Sequence, residues 1–333
     1  MTASIHTLPV LIVNPYNRCN CRCEMCEIWK RDSAPEMTWE EFERLLPGIE
    51  SLGVERVVFS GGEPLMHSGL FRFCAELRKR EIRITLLSSG LLLERYAEQI
   101  VAHVDDLIVS LDGPPETHNR IRRVANAFEL LASGVRRIHT LRKGYPVGAR
   151  CTVQRLNCNR LVETTEAARD LGLSSLSFLA ADVHSAAFNR QARLPVISSG
   201  RRVALTEEEV RLLDEQIDAL EATGECGRFV LESATKLRGI AHHFRCYLGT
   251  AEPVAPICNA PWTSAVIEAD GSVRPCFFHP PIGLLAEGKD LPQILNGPDA
   301  IAFRSGLTPA ENPICRRCVC SLNWKQRPGT VAA

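Results

Sequence analysis

Short runs of β-branched residues alternate with helical stretches six times in the first two thirds of the chain, and this alternation restricts the fold more than any other feature. Strands are expected over residues 8–13, 54–59, 82–87, 107–111, 147–153 and 176–179. Helices are expected between them over 38–46, 70–80, 91–102, 126–133 and 161–171. Thr38 with Glu41 reads as a capping box opening the first of these helices. Six strand–helix units in succession require a parallel sheet covered by helices, curled in one sense by right-handed crossovers. They are fewer than a closed eight-stranded barrel needs, so an α/β fold with a partial (β/α)6 barrel is expected. In such a sheet the chemistry lies at the carboxyl ends of the strands.

Beyond the sixth strand the pattern changes. Residues 181–204 lose periodicity and read as a connecting segment. Residues 206–222 form a helix with Thr206 and Glu209 as a second capping box, and 229–244 a further helix that Gly239 weakens. Residues 263–267 and 273–277 then read as the arms of a hairpin turned at Asp270-Gly271. The expected division is a core over 1–204 including the connecting segment, a helical linker over 205–257, and a small C-terminal α+β domain over 258–333.

Cysteine is the compositional anomaly. The chain has 14, mostly in one cluster near each end. No basic region and apolar run mark the opening residues as an export signal, and no apolar stretch is long enough to span a bilayer, so a cytoplasmic protein is expected. In that compartment closely spaced thiols are metal ligands more naturally than disulfides. Cys74, Cys151, Cys158 and Cys226 sit singly and read as small hydrophobes. Basic and acidic residues balance at 39 each, which gives no sign of a nucleic-acid partner.

Cys19-x3-Cys23-x2-Cys26 puts three thiolates in one loop after the first strand. Three soft ligands suit an iron–sulfur cube with one iron left open; zinc remains the alternative if Cys21 supplies a fourth thiolate. With Gly61-Gly62-Glu63-Pro64 after the second strand, this loop resembles the defining pair of motifs of the radical S-adenosylmethionine superfamily, over roughly residues 8–180. The resemblance implies a [4Fe–4S] cluster on Cys19, Cys23 and Cys26 whose open iron binds the methionine moiety. Gly61, Gly62, Glu63 and Pro64 would run beside its amino group, where glycine allows close backbone approach and a carboxylate suits an ammonium. Ser110 and Asp112 resemble the ribose-side segment, although Asp112-Gly113 reads equally as a turn; Ser88 and Ser89 end the third strand near the same face. Met25 stands where the family often has an aromatic residue near adenine, and Cys21 is expected to point its thiol elsewhere.

Cys258-x17-Cys276 flanks the hairpin, and Cys315-x2-Cys318 follows on a tight turn with Cys320 close behind. Thiolates alone do not separate zinc from iron–sulfur here. With Pro261-Trp262, Asp270-Gly271 and Gly283, the segment resembles the twitch extension, related to the longer SPASM domain. That implies one auxiliary [4Fe–4S] cluster on Cys258, Cys276, Cys315 and Cys318, with Cys246 or Cys320 as substitutes.

The resemblance implies cleavage of S-adenosylmethionine to a 5′-deoxyadenosyl radical, driven by a donor such as flavodoxin or ferredoxin. The auxiliary cluster would accept an electron in a two-electron oxidation of a small molecule, such as a sugar or aminocyclitol-like alcohol. Peptide modification is the alternative, and a non-catalytic metal-binding module a further one. Peptide-modifying relatives commonly carry an N-terminal peptide-binding domain and only 18 residues precede Cys19 here, so the small-molecule substrate is expected over the peptide. His184 and His279 are the candidates for a general base, each equally readable as an ordinary surface or core histidine.

Overall fold

The computed structural model describes residues 3–30, 35–185, 187, 198–285 and 288–325. Their strands are β1 (Val10–Tyr16), β2 (Arg56–Gly61), β3 (Arg83–Ser88), β4 (Asp106–Ser110), β5 (Val147–Val153), β6 (Ser175–Ala180), β7 (Ser264–Ile267), β8 (Ser272–Arg274) and β9 (Gly283–Leu284). All nine form one sheet in the order β6-β5-β4-β3-β2-β1-β7-β8-β9. β1 to β6 pair in parallel with their sequential neighbours, and the helices between them cover the sheet. This is the partial (β/α)6 barrel, open rather than closed.

The departures from the expected helices have local causes. The helix capped by Thr38 runs only over Trp39–Glu43, and a second covers Leu46–Ser51. Pro47 explains the break, since it has no N–H to continue the ladder and fits only a first turn. The helix expected to end at Ser133 runs on over Ala127–Leu141. Gly134 reads as a breaker but serves packing: a Cβ there would lie 2.3 Å from Leu93 Cβ on the neighbouring helix. The helix expected over 229–244 is shifted to Ala234–Leu248, behind a Ser233 cap. Residues 229–231 instead cover the edge of β6, where Phe229 carbonyl accepts the Leu176 N–H and Leu231 N–H donates to the Leu176 carbonyl, both at 2.9 Å.

The C-terminal hairpin continues the sheet of the core. β7 lies parallel to β1, Val10 to Val13 opposite Ser264 to Ile267, and so covers an edge that would otherwise present unpaired backbone groups. The chain turns at Gly271 (φ +80°) into β8, which stops at Arg274 because Pro275 cannot donate. Asn296 ties the same region to the N-terminus, accepting the Ile5 N–H and donating to the Ile5 carbonyl, each at 2.9 Å. Ser198–Val203 is helical, in the stretch expected to be irregular; residues 186 and 188–197 of that stretch, and 326–333 at the C-terminal end, lie outside the described residues. Among the described residues no helix is long and apolar enough to cross a membrane.

Candidate active site

The cysteine loop begins where β1 breaks register between Val13 and Tyr16, at a proline that cannot serve the ladder. Beside it β2 ends at Gly61, at φ +107°, and Gly62 follows. A Cβ on Gly61 would lie 2.9 Å from the Tyr16 carbonyl oxygen, and one on Gly62 only 2.0 Å from that of Arg18. Gly62 N–H donates to Tyr16 (3.0 Å) and Glu63 N–H to Arg18 (2.7 Å). The two glycines therefore let the ends of β1 and β2 close on one another, which fixes the cysteine loop.

At the carboxyl ends of the strands lies a cavity of about 1000 Å³. Cys19, Cys23, Cys26, Met25, Gly61, Gly62, Ser88 and Ser110 line it on one side. Arg150, Asp182, His184 and Glu268 add polar groups, and Phe277, Phe278, Pro280, Pro281, Ile314 and Cys320 of the C-terminal segment form an apolar wall. Met25 is buried, with its sulfur accepting from Gln154 Nε2 at 3.5 Å.

Two expectations need correction. Glu63 does not line the cavity: it is fully buried, and its carboxylate accepts from Leu65 N–H (3.1 Å), Ser88 Oγ (3.0 Å) and Ser89 N–H (2.7 Å). Burial pushes its pKa up against those hydrogen bonds. It joins the ends of β2 and β3 rather than facing an ammonium, and Pro64 opens the buried turn that follows. Asp112 is likewise fully buried, paired to Arg122 (2.6 Å) and accepting the Thr152 N–H (2.9 Å), so it is not a cavity contact. Cys21 is buried and does not line the cavity; its backbone N–H donates to Cys19 Sγ at 3.5 Å.

These residues fit a metal cluster with an organic ligand. The neighbouring Cys21, with help from the Arg122 guanidinium 3.7 Å from its sulfur, holds the Cys23 thiol down at about 7 against burial, and Cys21, whose N–H donates to Cys19 Sγ at 3.5 Å, also lowers Cys19. Low-pKa thiols are the form that ligates iron. In or beside the same wall Asn14 Oδ1, Asn17 Nδ2, Asn20 Nδ2 and Arg150 Nε are buried with no hydrogen-bond partner, as a polar ligand would require.

His184 lines the cavity with its buried Nε2 unpartnered, and its ring lies 5.4 Å from that of His243 and 5.6 Å from Tyr247. Burial and the Arg317 guanidinium lower its pKa, while Asp182 opposes them. The expectation for His279 is corrected: it is buried outside the cavity wall, packed edge-on against Phe303, with Nε2 3.4 Å from Cys315 Sγ. Cys258, Cys276, Cys315, Cys318 and Cys320 gather close enough to act on one another: burial, then Cys276 and Cys258, push Cys315 up to about 11. Cys320 is the member that lines the cavity, and Cys318 Sγ donates to its carbonyl at 2.6 Å. Cys246 does not join them; its charged neighbours are Glu252, Arg317 and Arg316.

Sequence reasoning missed Asn14 and Arg150, which lie within β1 and β5, and Asp182 and Glu268, which follow β6 and β7, where a polar residue just past a strand was a readable signal. It also missed Arg122, for which no local pattern existed.

A family model described as the Radical SAM superfamily matches residues 13–180, and one described as an iron–sulfur cluster-binding domain, SPASM, matches residues 258–319. Fe-coproporphyrin III synthase of Methanosarcina barkeri is 31% identical over 154 residues, 45% of this chain and 38% of that protein. PqqA peptide cyclase of Granulibacter bethesdensis is 27% identical over 207 residues, 60% of this chain and 55% of its own. The chain thus spans less than two thirds of either relative. Among solved structures, Streptococcus suis SuiB bound to its precursor peptide SuiA superposes with a TM-score of 0.66 at 13% identity, over 95% of this chain and 72% of that one. Native anSMEcpe with bound AdoMet gives a TM-score of 0.66 at 17% identity, over 91% and 84%. At these identities the likeness to the solved structures is one of fold.

Proposed function

The chain belongs to the radical SAM superfamily and carries a SPASM iron–sulfur domain, and from that premise we propose that it oxidises a small organic molecule by two electrons. Its cofactors are those of the family: a [4Fe–4S] cluster, S-adenosylmethionine and auxiliary iron–sulfur. The proposal assigns the first cluster to Cys19, Cys23 and Cys26, and one auxiliary cluster to Cys258, Cys276, Cys315 and Cys318, fed by a donor such as flavodoxin or ferredoxin. When bound, these groups supply the radical that removes a hydrogen atom and the acceptor for a second electron.

The observation that carries the reading is a single cavity walled by the first cysteine loop on one side and by the C-terminal cysteine segment on the other. A substrate held there lies beside the first cysteine loop and near the C-terminal one, whose Ile314, Val319 and Cys320 reach the cavity. His184 takes the proton released as the substrate is oxidised: its pKa is lowered, so it is neutral, and Nε2 has no other partner. Phe277, Phe278, Pro280 and Pro281 exclude water and receive an apolar part of the substrate. Arg150, Asp182, His184 and Glu268 line the remainder and can hydrogen-bond the polar part of such a substrate, the sugar or aminocyclitol expected from the sequence included. Relatives named for making iron-coproporphyrin III and heme support a small molecule.

A peptide substrate is the second reading, favoured by the relative named as a peptide cyclase and by the neighbour with a bound precursor peptide. Product mass separates them. Loss of two hydrogens from a small molecule supports the proposal; a cross-linked or epimerised peptide overturns it.

A further inference from the structure

Arg122 is a buried arginine beside the first cysteine loop to which the proposed function gives no role. It ends the helix Pro115–Arg122 and is 8% exposed. Its position is fixed from several sides. His118 Nδ1 accepts the Asp112 N–H (3.1 Å), which ties the helix to the end of β4. Arg123, left-handed at φ +56°, stops the helix, and the Arg122 carbonyl accepts the Arg22 N–H of the cysteine loop (3.1 Å). The guanidinium then reaches two groups: Nη2 lies 2.6 Å from Asp112 Oδ2, and Nη1 donates to Cys23 Sγ at 3.7 Å. Asp112 is held in turn by the Thr152 N–H on Oδ1 and by Asn157 Nδ2 on its carbonyl (3.0 Å).

We infer that Arg122, oriented by Asp112, raises the reduction potential of the cluster on Cys19, Cys23 and Cys26 by donating a charged hydrogen bond to the Cys23 sulfur. The inference rests on the cluster assignment proposed above. Reduction adds one electron, from a low-potential donor, to a group already ligated by thiolates, with no bond made or broken. A permanent cation on a ligand sulfur favours the more negative, reduced form, because hydrogen bonds to sulfur and nearby charge set such potentials. Asp112 works in the opposite sense from one shell further out. Arg122 is thus a positioning and tuning residue, with no contact to substrate required.

The test is a potentiometric titration of the anaerobically reconstituted full chain, followed by electron paramagnetic resonance, reading the signal that changes on adding S-adenosylmethionine. Arg122→Gln is expected to shift the equilibrium toward the oxidised cluster at least tenfold, or 59 mV for one electron. Asp112→Asn is expected to move it the other way. Where Arg122→Gln fails to load iron, the charge-neutral pair Arg122→Gln/Asp112→Asn replaces it, and a lower potential is again expected, since the nearer charge was the cation. An unchanged or higher potential without Arg122, or shifts of the same sign in both single variants, overturns the inference alone. Wild-type protein with no S-adenosylmethionine-responsive signal overturns the cluster assignment and the inference with it.

Discussion

Glu63→Gln distinguishes a carboxylate that holds the site together from one that faces the cofactor. The carboxylate accepts three hydrogen bonds, two of them from the backbone N–H groups of Leu65 and Ser89. Glutamine is nearly isosteric, but only one end of its amide accepts. With Oε1 toward Leu65, the NH2 group meets the Ser89 N–H; flipped, it meets that of Leu65. Either way one buried backbone donor is orphaned, which costs about 1–3 kcal/mol. For 333 residues the unfolding entropy is about 0.7 kcal/mol per degree, so the melting temperature should fall roughly 1–4 °C. Differential scanning fluorimetry under nitrogen, beside equilibrium binding of S-adenosylmethionine, measures both quantities. The expected result is a lower melting temperature with affinity within about twofold of wild type, since tenfold would need about 1.4 kcal/mol of lost contact. An unchanged melting temperature with affinity weakened tenfold would refute the reasoning, because the carboxylate would then face the ligand.

Gly62→Ala places a methyl group 2.0 Å from the Arg18 carbonyl oxygen, and backbone on both sides leaves no flexible atom to yield. Iron bound at the first site should drop by more than half, and wild-type iron content would show that the two loops do not close as described. A second expectation concerns acid: burial, with Arg122, holds His118 down at about 3, so it is neutral in the folded protein. The unfolded chain binds that proton from about pH 6.5 downward, so stability is lost progressively from there to about pH 3. By pH 5.5 the loss is about 1.4 kcal/mol from this residue. Melting temperatures at pH 7 and 5.5 should therefore differ more for wild type than for His118→Asn; equal differences would remove His118 from the account.

The parallel core was legible because its signals are local: six runs of strand residues with helical periodicity between them, and capping boxes at Thr38 and Thr206 that the structure forms with both hydrogen bonds. Where the reading failed, the deciding partner was distant. Gly134 looks like a helix end until the helix Leu93–His103 is packed against it. The pairing of β7 with β1 has no sequence signature, since any short apolar strand satisfies the hairpin pattern. The three thiols that line the cavity were legible by spacing, because Cys19, Cys23 and Cys26 share one loop. Glu63 and Asp112 were misassigned because a carboxylate beside a binding motif reads the same whether it meets a ligand or a backbone N–H. Arg122 becomes visible only when the helix it ends folds back under the cysteine loop.

The pairing of β1 with β7 has a consequence for how the protein is made. The outer edge of β1 finds its partner only after about 250 further residues have left the ribosome. At 5–20 residues per second this takes roughly 12–50 s. Throughout that interval the nascent chain exposes Val10-Leu11-Ile12-Val13, an uncharged β-forming edge, a few residues ahead of the four thiols of Cys19, Cys21, Cys23 and Cys26. Chaperone supply and a reducing environment during translation should then govern the yield of soluble protein more than the stability of the finished fold.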